Sequence, residues 1–324
     1  MSYTDESVVA EPRLEADAEA APLTREDLVP FVIQGAVDEL SKPDEDGDPA
    51  TKVAPGFGRS DTVELEKSKT HSSIRWPHKK DLLGVEVSVT DYDELVRLCV
   101  SAARRGEPGL ATFLPVHGIV TAALDHAYRY RVNAFDVVAP DGQPVRWALN
   151  LLHHARLPDR VCGPRMMERL CARAAEQGIG IYLYGSTIDT LDRLKNNLED
   201  QFPALRIVGV ESPPFRELTP EENQAAVDRI NISGAGFVFI GLGCPRQDLF
   251  AHFNRNRIKA LQLCVGAAFD FHAGNKKIAP LWMQKSGLEW IYRLGQEPGR
   301  LWKRYLLTNT AFVLLMTRRL LSGR

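Results

Sequence analysis

Phe237-Val-Phe-Ile-Gly-Leu-Gly-Cys-Pro-Arg-Gln-Asp248 is the stretch whose reading settles the fold class. Its four leading apolar residues suit a parallel strand covered on both faces, and Gly241 and Gly243 let the chain turn and approach a ligand without a Cβ in the way. Pro245 suits the first position of a helix. A helix starting there presents amide N–H groups and a partial positive charge beyond the strand end. An anionic diphosphate is the natural guest, with Arg246 and Gln247 as donors at the rim. The spacing is not the Gly-x-Gly-x-x-Gly dinucleotide fingerprint, and no acidic residue follows a strand about 20 residues on. A tight turn without a ligand is the competing reading.

The 324 residues carry 40 Lys and Arg against 42 Asp and Glu, a net charge of -2, so the overall balance gives no reason to expect nucleic acid as a partner. A hydrophobic fraction of 44% suffices for the core of an enzyme-sized chain. Cys99, Cys162, Cys171, Cys244 and Cys264 form no C-x-x-C pair; they fit buried thiols in a reducing cytosol and support neither a disulfide framework nor a metal site. The acidic start, with Asp5, Glu6, Glu11 and Glu15, lacks the pattern of a secretory signal, and no run approaches the roughly 18 apolar residues of a spanning helix.

Three segments follow from composition and periodicity. Residues 1–80 are rich in Asp, Glu, Ser and Pro and predict a disordered acidic extension, in which the Asp46-Gly-Asp48 pattern reads as solvated linker rather than a metal site. Residues 81–280 alternate strand and helix. A strand over Leu83–Val89 leads into a helix capped by Thr90 or Asp91, and a strand over Leu110–Leu114 into a helix reaching about Tyr130. Further strands are expected at Ala134–Val138, Ile179–Tyr184 and Leu205–Val210 and from Leu261 to about Ala267, with intervening helices that include one opened by Thr219-Pro-Glu-Glu222. This pattern predicts an α/β fold with a doubly wound, mostly parallel, Rossmann-like sheet. Residues 281–324 predict a helical appendage. In such a sheet the loops after the strands open on one edge, so His117, Asp141, Ser186, Arg246, Gln247 and Asp270 are expected to converge there.

Several stretches taken together resemble the bacterial WecG/TagA/CpsF glycosyltransferase family. They are Pro140-Asp-Gly142, Gly163, Tyr184-Gly185, Gly241 to Asp248, Phe269-Asp270, Ala273-Gly274, Ala279-Pro280, and Gly287-Leu-Glu-Trp-Ile-Tyr-Arg293 with Glu297-Pro298. The resemblance covers about Leu82 to Arg304. It implies inverting, metal-independent transfer, without a cofactor, of an N-acetylmannosamine-like sugar, or a related hexose or uronic acid, from a nucleoside-diphosphate donor to a polyprenyl-diphosphate-linked acceptor in cell-surface polysaccharide assembly. Asp141 of the Pro-Asp-Gly motif is then the candidate base, the role a carboxylate takes when an acceptor hydroxyl loses its proton; a simple Asp-Gly turn is the alternative. By the same match, Gly142, Gly163, Gly185, Gly241, Gly243, Arg246, Gln247 and Asp270 are candidate substrate contacts, Ser186 joins them by its place at the sheet edge, and Arg165, where the match holds only at Gly163, is a further candidate sugar contact. The chain departs from the family at Leu114-Pro-Val116, where many members have Thr-Pro-Asn. His117 next to it is a candidate replacement, as hydrogen-bonding group or proton acceptor, against the plainer reading of a histidine satisfying its own loop.

After Pro298, basic residues and the interface-favouring Trp302 and Tyr305 flank an apolar middle from Leu306 to Met316. The segment reads either as lying on the inner face of the cell membrane or as packing on the parent domain. The resemblance favours the membrane, with Arg293, Arg300 and Arg304 as candidates for the acceptor diphosphate, and implies a cytoplasmic, membrane-peripheral enzyme. Whether copies of the chain associate is left open. A Rossmann-like oxidoreductase and a non-catalytic binding protein are the rival readings.

Overall fold

The computed structural model describes residues 74–322; the expectation of disorder for residues 1–73 falls outside them. The chain runs through β1 (Lys79–Leu82), β2 (Val85–Ser88), α1 (Tyr92–Arg105), β3 (Gly109–Leu114), α2 (Val116–Leu124), α3 (His126–Asn133), β4 (Val137–Pro140), α4 (Gln143–His153), α5 (Gly163–Gln177) and β5 (Gly180–Gly185). It continues with α6 (Ile188–Gln201), β6 (Arg206–Glu211), α7 (Pro220–Ile232), β7 (Phe237–Gly241), α8 (Arg246–Phe253), β8 (Leu261–Cys264), α9 (Ala268–His272), α10 (Leu281–Lys285), α11 (Glu289–Gln296) and α12 (Pro298–Leu321). Six strands make one all-parallel sheet in the order β4-β3-β8-β7-β5-β6. This is the doubly wound α/β, Rossmann-like architecture.

The pleat of β7 shows how the apolar run serves both faces. Phe237 and Phe239 join the core under α1, α5, α6 and α9, while Val238 and Ile240 join the core under α2, α3, α4, α7 and α8. The crossovers from β3 to β4 and from β7 to β8 lie on the second of these faces, whereas the one from β5 to β6 lies on the first. Neighbouring strands β7 and β5 therefore send their chains to opposite faces, and the crevice such a reversal opens is centred at their carboxyl ends. Gly185 and Gly241 are register partners there.

Four expectations change. The strand expected over Leu83–Val89 is present as β2, but it starts later and pairs antiparallel with β1 in a separate hairpin, because Leu83 and Gly84 both adopt positive φ and reverse the chain. The helix expected to run to Tyr130 breaks at Asp125, whose extended backbone and side chain cap α3 by accepting from the Ala127 and Tyr128 amides. β8 ends at Cys264, and Phe269 to His272 are helical. The folded part also starts before residue 81, since Ile74 is buried against Leu98 and Ala102.

α12 belongs to the main core: Ala311, Phe312 and Met316 are buried with residues of α2, α3 and β3. One expectation concerns the sheet edge. A Cβ on Gly185, whose φ is 122°, would lie 2.7 Å from the Gly241 backbone. Gly185→Ala is therefore expected to lower stability by about 1–3 kcal/mol or more, read from the shift in urea midpoint at constant slope.

Candidate active site

A cleft of about 1060 Å³ opens at the carboxyl edge, walled by the ends of β3, β4, β5, β7 and β8 on one side and by α10, α11 and α12 on the other. His117, Asp141, Gly142, Ser186, Gly241, Gly243, Arg246, Gln247, Asp270, Arg293 and Arg304 all line it.

Asp141 sits one residue past β4. Its amide donates to the Leu114 carbonyl at 3.2 Å, continuing the ladder to β3, while the Pro140 carbonyl accepts from Val161 at 3.0 Å. Gly142, at φ 91°, then starts α4, so the turn and the site coexist in one motif. The Asp141 carboxylate keeps 20% of its side chain exposed and accepts from Nη1 of Arg160 at 3.3 Å. The other arm of Arg160 forms an ion pair with Glu289 of α11 and reaches Gln284 Oε1 at 3.4 Å. Enclosure by protein pushes the Asp141 carboxyl up to about 6; Arg160 and Arg293 pull it down, Glu289 pushes it up, and the Gly163 amide stabilises the charged form by a hydrogen bond. A carboxylate near 6 at a cleft wall is suited to accept a proton at neutral pH.

The β7 end differs in detail from expectation. Gly241 is required by packing rather than ligand approach, since a Cβ would lie 2.5 Å from the Phe269 ring. Gly243, at φ 78°, makes the turn. Pro245 is the cap and α8 begins at Arg246. The Gln247 amide is taken by the Gly243 carbonyl, and those of Asp248 and Leu249 by Pro245. These three helix amides are therefore taken, while the Arg246 side chain lines the cleft and donates from Nη2 to the Arg216 carbonyl at 3.3 Å. Gln247 is not a rim donor: it is 3% exposed and its Nε2 donates to the Cys264 carbonyl, anchoring α8 to β8.

Gly163 and Gly185 do not line the cleft. A Cβ on Gly163 would lie 2.9 Å from the Val265 carbonyl oxygen, and Gly185 faces Gly241, so both are close-approach positions. Ser186 reaches the cleft at φ 64°, its carbonyl accepting from Ser212 Oγ at 2.7 Å. Asp270 pairs with Lys276 at 3.0 Å, and Lys276 also meets Glu297 at 3.3 Å. Arg165 pairs loosely with Asp159 at 3.9 Å at the rim.

The His117 ring is held down to about 3 by burial and by Arg304, so it is neutral and offers hydrogen bonds, not general-base chemistry, at neutral pH. Arg293 lies over the Phe271 ring at 5.5 Å. Arg300 is in the first turn of α12, and its side chain falls outside the described residues.

Two features were not read from the sequence. Arg160 is 8% exposed, and the only hint was an arginine amid the apolar residues before Gly163. Asp248 is fully buried, accepting from Thr112 Oγ1 at 2.6 Å and Tyr128 OH at 2.7 Å; it ties α8 to β3 and α3. Burial pushes it up to about 6 against those hydrogen bonds. Among the described residues, no three His, Cys, Asp or Glu side chains are grouped as metal ligands.

A carboxylate and several arginines line a crevice at the β7/β5 reversal, the edge at which α/β sheets receive ligands. The chain belongs to the WecG/TagA/CpsF glycosyltransferase family, whose model matches residues 80–324. It is thus a glycosyltransferase of cell-surface polysaccharide biosynthesis, a family working in general with nucleotide-sugar donors and lipid-linked acceptors.

The titration of Asp141 has a consequence for stability. Because folding raises its pKa, this group's stabilising contribution is complete below the unfolded value of 3.8 and is lost as pH rises through about 6. Asp141→Asn removes the charged form, so the variant is expected to unfold later than wild type at pH 8, by up to about 3 kcal/mol, with the gain vanishing toward pH 4. Denaturant titrations at the two pH values check this.

Proposed function

We propose that the chain is an inverting glycosyltransferase that moves an N-acetylmannosamine-like hexose, or a related uronic acid, from a nucleoside diphosphate to a saccharide on a polyprenyl diphosphate. The observation that carries this reading is the Asp141 carboxylate, raised to about 6 and open to the cleft at the β4 end. In this reading the acceptor hydroxyl oxygen attacks the anomeric carbon as its proton passes to Asp141. The bond to the diphosphate oxygen breaks, and the nucleoside diphosphate leaves with the electron pair. Arg246 meets the growing charge on the leaving group, and Arg293 and Arg304, on the opposite wall, face the acceptor diphosphate. His117, neutral where relatives carry Thr-Pro-Asn nearby, serves the donor sugar as a hydrogen-bonding group.

The acceptor's polyprenyl tail requires a surface, and α12 supports one. Its inner stripe, Leu301, Thr308, Phe312 and Met316, is buried. On its outer side Trp302 is 49% exposed, Leu306 60%, Val313 61% and Leu320 48%, at spacings of four and seven residues that put them on one stripe. α11, packed on α12, adds the half-exposed Trp290 and Ile291, and Leu281 and Trp282 of α10 are exposed. Residues 275–322 hold nine Lys and Arg against two Glu. Among the described residues no helix is long and apolar enough to cross a membrane. The reading is a cytoplasmic enzyme lying on the inner face of the cell membrane, with apolar side chains in the leaflet and basic ones at anionic headgroups.

Two outcomes are expected. Asp141→Asn should retain the donor and lose transfer by about 100-fold or more, measured as nucleoside diphosphate released in the presence of a polyprenyl-diphosphate saccharide; wild-type turnover would reduce Asp141 to a turn residue. Deleting residues 300–324 would strip the core of Leu301, Phe312 and Met316, so the membrane is better tested by replacing Trp302, Leu306 and Val313 together with serine. That variant should keep its melting temperature but partition onto anionic vesicles at least about tenfold less well, as expected when three apolar contacts are lost. Undiminished binding would return the stripe to ordinary surface.

A further inference from the structure

We infer that Glu289, through its ion pair with Arg160, is a positioning residue that holds the Asp141 carboxylate in place and sets its proton affinity. This rests on the reading of Asp141 as the base. The geometry is a chain of three charges: Asp141 at the end of β4, Arg160 in the loop before α5, and Glu289 in the first turn of α11. Arg160 has 9% of its side chain exposed and is clamped from both sides, so it cannot turn toward one acid without leaving the other.

The way α10 and α11 are attached points the same way. Neither helix contains a fully buried residue; the apolar contact of α11 includes Trp290, edge-on to Tyr305 of α12 with ring centroids 5.9 Å apart. Polar contacts tie them further: Glu289 and Gln284 reach Arg160 in the body of the domain, while Gln284 Nε2 to the Ala279 carbonyl at 2.7 Å and Gln296 to the Lys277 backbone at 3.0 and 3.1 Å brace the segment itself. Of these, the contacts of Glu289 and Gln284 with Arg160 reach the guanidinium that touches the base.

The groups facing Asp141 are Arg160, Cys162 and the Gly163 amide from the α5 side, Tyr92 from α1, and Glu289 and Arg293 from α11. One arginine balances two acids across the triad. Neutralising Glu289 leaves Arg160 to Asp141 alone and removes a repelling charge, and both changes favour the ionised carboxylate. Glu289→Gln is therefore expected to lower the Asp141 titration midpoint by about 1 pH unit, giving a weaker base. Glu289→Asp, which keeps the charge, should leave the midpoint near that of wild type while lowering kcat, because its shorter side chain reaches Arg160 less well.

The experiment is carboxyl ¹³C NMR on the full chain without substrate, with the Asp141 signal assigned by its loss in Asp141→Asn. The pH dependence of kcat with a nucleoside-diphosphate sugar is recorded in parallel. A downward shift in Glu289→Gln but not in Glu289→Asp, matched by the acid limb of kcat, supports the inference. An unchanged midpoint in Glu289→Gln, or equal shifts in both variants, overturns it; if Asp141→Asn is inactive in the same series, the base reading survives that failure. Conversely, a shifted midpoint with an active Asp141→Asn removes the base reading and leaves the coupling of Glu289 to Asp141 standing. Should Glu289→Gln not fold, the wild-type guanidinium decides. Slow-rotating, separately resolved Arg160 Nη protons are expected of a group clamped on both sides, and a freely averaged signal would sink the proposal.

Discussion

A buried guanidinium is the constraint around which this cleft is arranged. Taking a charge such as that of Arg160 out of water costs several kcal/mol, and only well-placed opposite charges offset it. The chain supplies them from segments 19 residues before and 129 residues after Arg160. Enclosure is what raises the Asp141 carboxyl to about 6; Arg160 and Arg293 draw it back, and Glu289, sharing Arg160, offsets part of that pull. The motif residue is therefore only part of the chemistry. An aspartate after a strand is common, but one held near 6 needs the enclosure that raises it.

The opposite rim is fixed by packing. Gly185 and Gly241 lie against one another because β5 and β7 part to opposite faces at that level, and Phe269 fills the space a Cβ on Gly241 would need. Asp248 then locks α8 through two hydroxyls from β3 and α3. Two glycines, one aromatic ring and one buried carboxylate thus hold Arg246 at the cleft, with the glutamine beside it acting as an anchor. Much of the stretch Gly241 to Asp248 serves rigidity at this rim of the cleft.

This separates what was legible in the sequence from what was not. The alternation of buried strands and amphipathic helices carried the sheet, because each period-two or period-3.6 pattern is local, and Thr219 to Glu222 formed the capping box its order implies. Convergence of His117, Asp141, Ser186, Arg246 and Asp270 followed from topology alone. The β1–β2 hairpin was hidden because Leu83 takes a positive φ that a leucine rarely adopts, leaving an unbroken alternation across a turn. Which side a motif residue faces was likewise hidden. Gln247 points to β8 and Gly241 to Phe269, and both depend on neighbours distant in sequence. Arg160 carried only the hint of an arginine among apolar residues, because its partners lie in other segments.

The C-terminal helix shows why the two readings of its sequence were not exclusive. A helix of 24 residues has stripes enough to bury Leu301, Ala311, Phe312 and Met316 while showing Trp302, Leu306, Val313 and Leu320 to the outside. Had the helix been a tether, its inner stripe would have had no call to be apolar; had it been core alone, its outer stripe would be polar, as on α7, where Glu221 and Asp228 face out. Both stripes are apolar, and residues from the helix also wall the cleft at Arg304, Tyr305 and Thr308. One rigid element therefore spans three environments: core, cleft and the surface proposed to meet the bilayer. If that proposal holds, an acceptor whose tail stays in the leaflet needs no separate domain to deliver its headgroup, since the helix that would meet the lipid is also a wall of the pocket.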